Sequence, residues 1–145
     1  MNPKPNLLVI SESHLQFNHL MSVPGYQSYT RNRSEKSQGG IATSVIESNT
    51  KDCLKVAEGK GSNEYLITRH SEFSTPINVI NVYGEQENRT SASDIKDHWN
   101  EIVEEIVKIE AKGEAFVLLG DTNKHIGNLV EGNHEKITAG GKLIR

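Results

Sequence analysis

Cysteine is nearly missing from this chain: Cys53 is the single thiol in 145 residues. One thiol cannot close an intramolecular disulfide, nor can it supply a cysteine-rich zinc site. No uninterrupted apolar run approaches the roughly 20 residues a bilayer span needs. The opening Met1-Asn2-Pro3-Lys4-Pro5 has no apolar signal core behind a basic start. A membrane protein and a secreted precursor are therefore not expected, and the expected setting is intracellular, the nucleus included. An excess of positive charge is also lacking: 16 Lys and Arg face 19 Asp and Glu, a formal charge of −3. Without a basic footprint, any contact with nucleic acid must come from a local patch or a bound metal. The six histidines, His14, His19, His70, His98, His125 and His134, include no i, i+4 pair bracketing a Glu. They read as surface or core histidines rather than zinc ligands, with His125 worth watching for its place just past Asn123. No internal repeat, linker or low-complexity tract interrupts the chain.

What is present suits one domain, with 34% apolar and 24% charged residues. Leu7–Ile10 is a continuous apolar run of strand length, as expected of a strand buried on both faces. Further strands are predicted over Ile41–Ile46, Cys53–Ala57, Tyr65–Arg69, Ile77–Tyr83 and Ala115–Leu119. Gly59-Lys60-Gly61-Ser62-Asn63 reads as the turn of a hairpin. One helix is legible: Ile95, Trp99, Ile102, Val103, Ile106 and Val107 form a single stripe at helical spacing. Ser91 or Ser93 supplies its N-cap, Asp94 its first-turn charge and Gly113 its C′ residue, while Glu104 and Lys108 form an i, i+4 pair. A strand ending at Tyr83, this helix and a strand from Ala115 resemble a crossover unit. Trp99 belongs to the core.

Polar groups stand where buried strands end: Glu12 after Leu7–Ile10, Tyr83 after Ile77–Val82, and Asp121 with Asn123 after Phe116–Leu119. Strand ends are where open sheets build their sites. An ionised carboxylate at a core edge is costly without a partner, and a divalent cation would be one. Glu12 and Asp121 are hard oxygen donors suited to Mg²⁺ or Mn²⁺, and Asn123, two residues on, can aim its amide the same way. Such an ion would offset charge in a displacement at phosphorus. The plain alternative is that Glu12 caps a turn and Gly120-Asp121-Thr122-Asn123 is an ordinary turn.

Taken in order, Ile10-Ser11-Glu12-Ser13-His14-Leu15, Gly39-Gly40-Ile41-Ala42, Asn81-Val82-Tyr83 and Leu118-Leu119-Gly120-Asp121-Thr122-Asn123 resemble the endonuclease/exonuclease/phosphatase superfamily. Within it they are most similar to the apurinic-type endonuclease domains of non-LTR retrotransposons. Pro24-Gly25-Tyr26 falls between the first two motifs, and the pattern covers nearly the whole chain. The resemblance implies an α/β fold, part of a four-layered sandwich of two packed sheets flanked by helices, DNase I-like. It implies that Glu12 ligates the catalytic Mg²⁺ or Mn²⁺, that Tyr83 contacts the scissile phosphate, and that Asp121 orients or activates the attacking water. Asn123 would bind phosphate beside it. It implies a DNA phosphodiester substrate and a reverse transcriptase domain as a companion in the parent polypeptide. Ser13 and Thr122 stand where Thr and a large apolar residue are common.

The family's first strand carries an Asn and its last strands an Asp and a closing Asp-His pair. Only Met1 to Pro5 precede the Glu12 strand, Asn6 sits out of place for that role, and Asn133-His134-Glu135 is the nearest candidate after Asn123. The expectation is a single truncated domain over 1–145, cut at both ends, with impaired hydrolysis and with marginal stability or association from exposed strand edges. A non-catalytic remnant or interaction module is the alternative, and a phosphatase of the same superfamily a further one. Arg31, Arg33 and Lys36 read as a solvated basic loop, and Gly39-Gly40 as a bend entering a strand. Asn32-Arg33-Ser34 and Asn88-Arg89-Thr90 match the glycosylation acceptor pattern, moot without a secretion signal.

Overall fold

The computed structural model describes residues 4–15, 19–32, 39–84 and 91–123, with the backbone of two further short strands near the C-terminus. The elements run β1 (Leu7–Ile10), β2 (Tyr26–Arg31), β3 (Ile41–Ile46), β4 (Cys53–Glu58), β5 (Glu64–His70), β6 (Ile77–Tyr83), α1 (Ala92–Ala111) and β7 (Ala115–Asp121). The short antiparallel pair β8 (Lys136–Ile137) and β9 (Leu143–Ile144) follows. A 3₁₀ segment, Glu47–Asp52, links β3 to β4.

All six expected strands form, three with the expected bounds and three extended by one or two residues at one or both ends. Of the two main sheets, the strand that patterning missed is β2. Its sequence, Tyr-Gln-Ser-Tyr-Thr-Arg, is polar, and it belongs to a sheet only because its partner complements it. It pairs antiparallel with β3 along its whole length, and Ser28 and Ser44 share a cross-strand hydrogen bond of 2.7 Å.

Two sheets result, one ordered β1-β3-β2 and the other β4-β5-β6-β7. All pairings in them are antiparallel except β6 with β7, which run parallel, as the crossover through α1 requires. The first sheet lies against one face of the second, where Ile41, Leu66 and Tyr83 are buried together with Tyr29 packed on them. On the opposite face Tyr65, Ile67, Ile80 and Val82 meet Ile102 and Ile109 of α1. Residues alternate across a strand, so β5 and β6 must be apolar on both sides, and the near-continuous runs in the sequence follow from that. Among the described residues the layers number three: sheet, sheet and helix.

The helix begins as its capping signals predict. The Ser91 hydroxyl accepts the Asp94 amide at 3.1 Å, and Gly113, at φ 68°, turns the chain out of the last turn. Its buried line differs from the predicted stripe. Ile95, His98, Ile102 and Ile109 are buried, whereas Val103 and Val107 are 54% and 56% exposed. The helix is rolled so that its contact with the sheet runs through positions 95, 98 and 102, and the valines beside that line face outward. Trp99 is partly buried, with its ring edge-on to His98 at 5.5 Å. Lys108 pairs with Glu105 at 2.6 Å rather than with Glu104.

Candidate active site

At the end of β1 the chain enters Glu12 in the left-handed region, φ 51°. His14 (φ 54°) and Asn123 (φ 47°) complete the non-glycine residues in that region among those described. Such a conformation costs on the order of 1–2 kcal/mol for most side chains, less for Asn. All three outliers lie in the two loops that carry the candidate residues. Strain gathered in this way is what a site held in a demanding geometry shows.

The structure brings Glu12 and Tyr83 together although 71 residues separate them: the Tyr83 hydroxyl donates a short hydrogen bond to the Glu12 carboxylate. The two come from different sheets, so this contact exists only once the sheets have packed. Asp121 lies in register with Tyr83 across the parallel β6–β7 pair. Residues in register point to the same side of a sheet, so Asp121 joins the face that Tyr83 and Glu12 occupy. Burial pushes the Tyr83 phenol up from its ordinary range, and its hydrogen bond to Glu12 and the nearby charges of Glu12 and Asp121 push the same way. The phenol is thus a proton donor at neutral pH. Glu12 and Asp121 are themselves exposed, open to an incoming ligand.

Asn123 is fastened to its neighbours. Its main-chain amide donates to Asp121 Oδ1 at 2.9 Å, and its side-chain amide donates to the Gly84 carbonyl at 2.8 Å. The Gly84 amide in turn donates to the Asp121 carbonyl at 2.7 Å. The plain turn reading of Gly120-Asp121-Thr122-Asn123 thus describes the backbone, while the Asp121 carboxylate stays on the surface beside Tyr83. Two glycines let the strand ends close up. A Cβ on Gly120, at φ 127°, would stand 2.0 Å from the Val82 carbonyl oxygen, and one on Gly84 1.9 Å from that of Thr122.

Sequence patterning missed two residues here. Glu64, the first residue of β5, is 2% exposed and accepts the Gly40 amide on both carboxylate oxygens at 3.3 Å. Asn81, fully buried, donates to the Ala42 carbonyl at 2.9 Å and thereby ties the second sheet to the first. A signal for both existed: each falls in phase with the inward residues Leu66 and Tyr83 of its strand, where an apolar side chain would be the default.

Arg31 is not part of a solvated basic loop. It closes β2 and donates to the Gly59 carbonyl at 3.1 Å and the Gly61 carbonyl at 2.6 Å, pinning the β4–β5 hairpin turn. Arg33, Lys36, His125 and His134 lie outside the described residues, as does Asn88-Arg89-Thr90. Among the described residues no three His, Cys, Asp or Glu side chains gather closely enough to hold a metal by themselves. The donor set at the site is instead two exposed carboxylates about a phenol hydroxyl. That suits Mg²⁺, which binds through one or two carboxylates and keeps water and phosphate for its other positions.

No family model matches this chain, and neither does any curated protein. Among solved structures it is similar to the AP endonuclease LMAP from Leishmania major, at 18% identity and a TM-score of 0.57. The match covers 81% of this chain and 45% of that one, so the chain spans less than half of its neighbour's length. The likeness is one of fold: α/β, two sheets with a helix, DNase I-like.

Proposed function

We propose that this chain carries the site of a metal-dependent phosphodiesterase that nicks DNA, of the retroelement endonuclease type. The observation that carries the reading is the meeting of Glu12 and Tyr83 across two sheets, with Asp121 in register beside them. The likeness to an AP endonuclease fold supports it, as does the order of the motifs along the chain.

Glu12 would hold Mg²⁺ or Mn²⁺, and the ion would polarise a phosphoryl oxygen and offset the charge of the displacement. The residues of the chain then have separable tasks. Tyr83, protonated at neutral pH, turns its hydroxyl from Glu12 to a phosphate oxygen. Asp121 accepts a proton from the attacking water; it is exposed, and one of its carboxylate oxygens is held by the Asn123 amide. Asn123 keeps the ends of β6 and β7 together and sits where its side chain can meet a phosphate. A DNA substrate must be drawn by the ion and by this local set of donors, because the net charge of −3 offers no general attraction.

The test is titration of the chain with Mn²⁺ by calorimetry, followed by nicking of supercoiled plasmid in Mg²⁺. Glu12→Ala is expected to abolish binding. Asp121→Ala should weaken binding less than Glu12→Ala does and, at saturating metal, lower nicking by about 10²-fold or more, the usual size of a lost acid–base group. Equal background in wild type and both variants would remove the enzymatic reading and leave an interaction module.

A further inference from the structure

Glu64 stands outside the proposed chemistry, yet it occupies a place that only a functional or strongly structural constraint explains. It is a carboxylate removed from water at the start of β5, paired in register with Tyr83 and reaching across to the first sheet. There it meets the amide of Gly40, at the entry to β3. Gly39 and Gly40 both take positive φ, 103° and 79°. A Cβ on Gly40 would lie 2.7 Å from the Ser13 hydroxyl, so the bend is tight against the loop that follows β1.

That bend passes the constraint onward. The Gly40 carbonyl accepts the Ser13 amide at 2.9 Å, and the Gly39 carbonyl accepts the His14 amide at 2.9 Å. These two bonds grip the residues directly after Glu12, which itself is held at φ 51°. A left-handed glutamate relaxes unless its surroundings over-determine it. The series from the Glu64 carboxylate through Gly40 and Ser13 to Glu12 is continuous, and each step is a hydrogen bond or a peptide link. Asn81, through the Ala42 carbonyl two residues along, anchors the same stretch of β3 from the same sheet.

We infer that Glu64 is a positioning residue: by fixing the Gly39–Gly40 bend it sets the Ser13–His14 backbone and so aims Glu12 at the cation. The inference rests on the metal-site reading for its last step alone. The first steps, from Glu64 to the loop after β1, hold for the apo protein.

Three variants test it by amide hydrogen exchange and Mn²⁺ titration on the full chain. Glu64→Met keeps the volume and loses the acceptor; Glu64→Asp keeps the charge and falls short of Gly40; Glu64→Gln keeps an acceptor oxygen at the same reach. In the Met and Asp variants the Ser13 and His14 amides should exchange about tenfold faster relative to Ile67 and Ile80, the size expected for one lost hydrogen bond. Mn²⁺ binding should weaken in step, and Glu64→Gln should restore both toward wild type. If one of the loss variants fails to fold, the other still reports, because they break the bond by opposite chemistry. Unchanged relative exchange at Ser13 and His14 overturns the inference, as does a Gln variant as damaged as the Met one. A wild type that binds no Mn²⁺ would instead overturn the phosphodiesterase reading, and the exchange data would still decide the role of Glu64.

Discussion

Ile102 and Val103 are neighbours on α1, both apolar and both on the stripe that helical periodicity picks out, yet truncating them should have very unequal consequences. Ile102 is 1% exposed and sits among Tyr65, Ile67, Ile80 and Val82. Val103 is half exposed. Cutting a buried Ile to Ala removes its transfer free energy and leaves a cavity, a loss of about 2–5 kcal/mol. For a domain of this size each kcal/mol moves the midpoint by about 2–4 °C, so a mid-range loss of about 3 kcal/mol lowers Tm by about 6–12 °C. Val103→Ala gives up little burial and gains up to about 0.5 kcal/mol of helix propensity, so its Tm should stay within about 2 °C of wild type. Thermal melts followed by circular dichroism at the α-helical band read both. Equal shifts for the two variants would refute the roll of the helix, and with it the way α1 braces the β6–β7 pair that carries Tyr83 and Asp121.

Gly120→Ala should cost about 3 kcal/mol or more, because a side chain at φ 127° would run into the Val82 carbonyl. Gly61→Ala, with open space around its Cβ, should cost only the ~1–2 kcal/mol of a left-handed residue; urea midpoints compare the two, and equal losses would sink the close-approach account. The tyrosines set an alkaline limit. Burial pushes Tyr29 up to about 12, and burial first and then the Glu101 hydrogen bond push Tyr65 up, as burial and Glu12 do for Tyr83. The folded state therefore binds these protons more tightly than the unfolded one, so stability is whole below the unfolded phenol value of about 10 and falls as pH rises through the folded values. Urea midpoints measured from about pH 9 to about pH 11 should decline, and a flat profile would contradict the burial of these phenols.

Much of this fold is local and can be read along the chain. A run such as Leu7–Ile10 or Ile77–Tyr83 makes a strand because its branched side chains suit a surface covered on both sides, and α1 starts at Ser91 because a hydroxyl satisfies a free amide there. The positions of Glu12, Tyr83, Asp121 and Asn123 at strand ends were equally legible, since each directly follows or closes an apolar run. Tertiary packing decided the rest. The polar strand β2 exists through Ser44 and Tyr29, and the roll of α1 follows from the shape of the sheet beneath it. The alternation of β5 places position 64 on the inward face, but what holds a carboxylate there is the amide of Gly40 in the other sheet, which nothing local records. The hydrogen bond from Tyr83 to Glu12 spans 71 residues and depends on how two twisted sheets face each other. Periodicity along a chain reports which faces will be covered; it carries no record of what covers them, and the candidate site is made where two such covers meet.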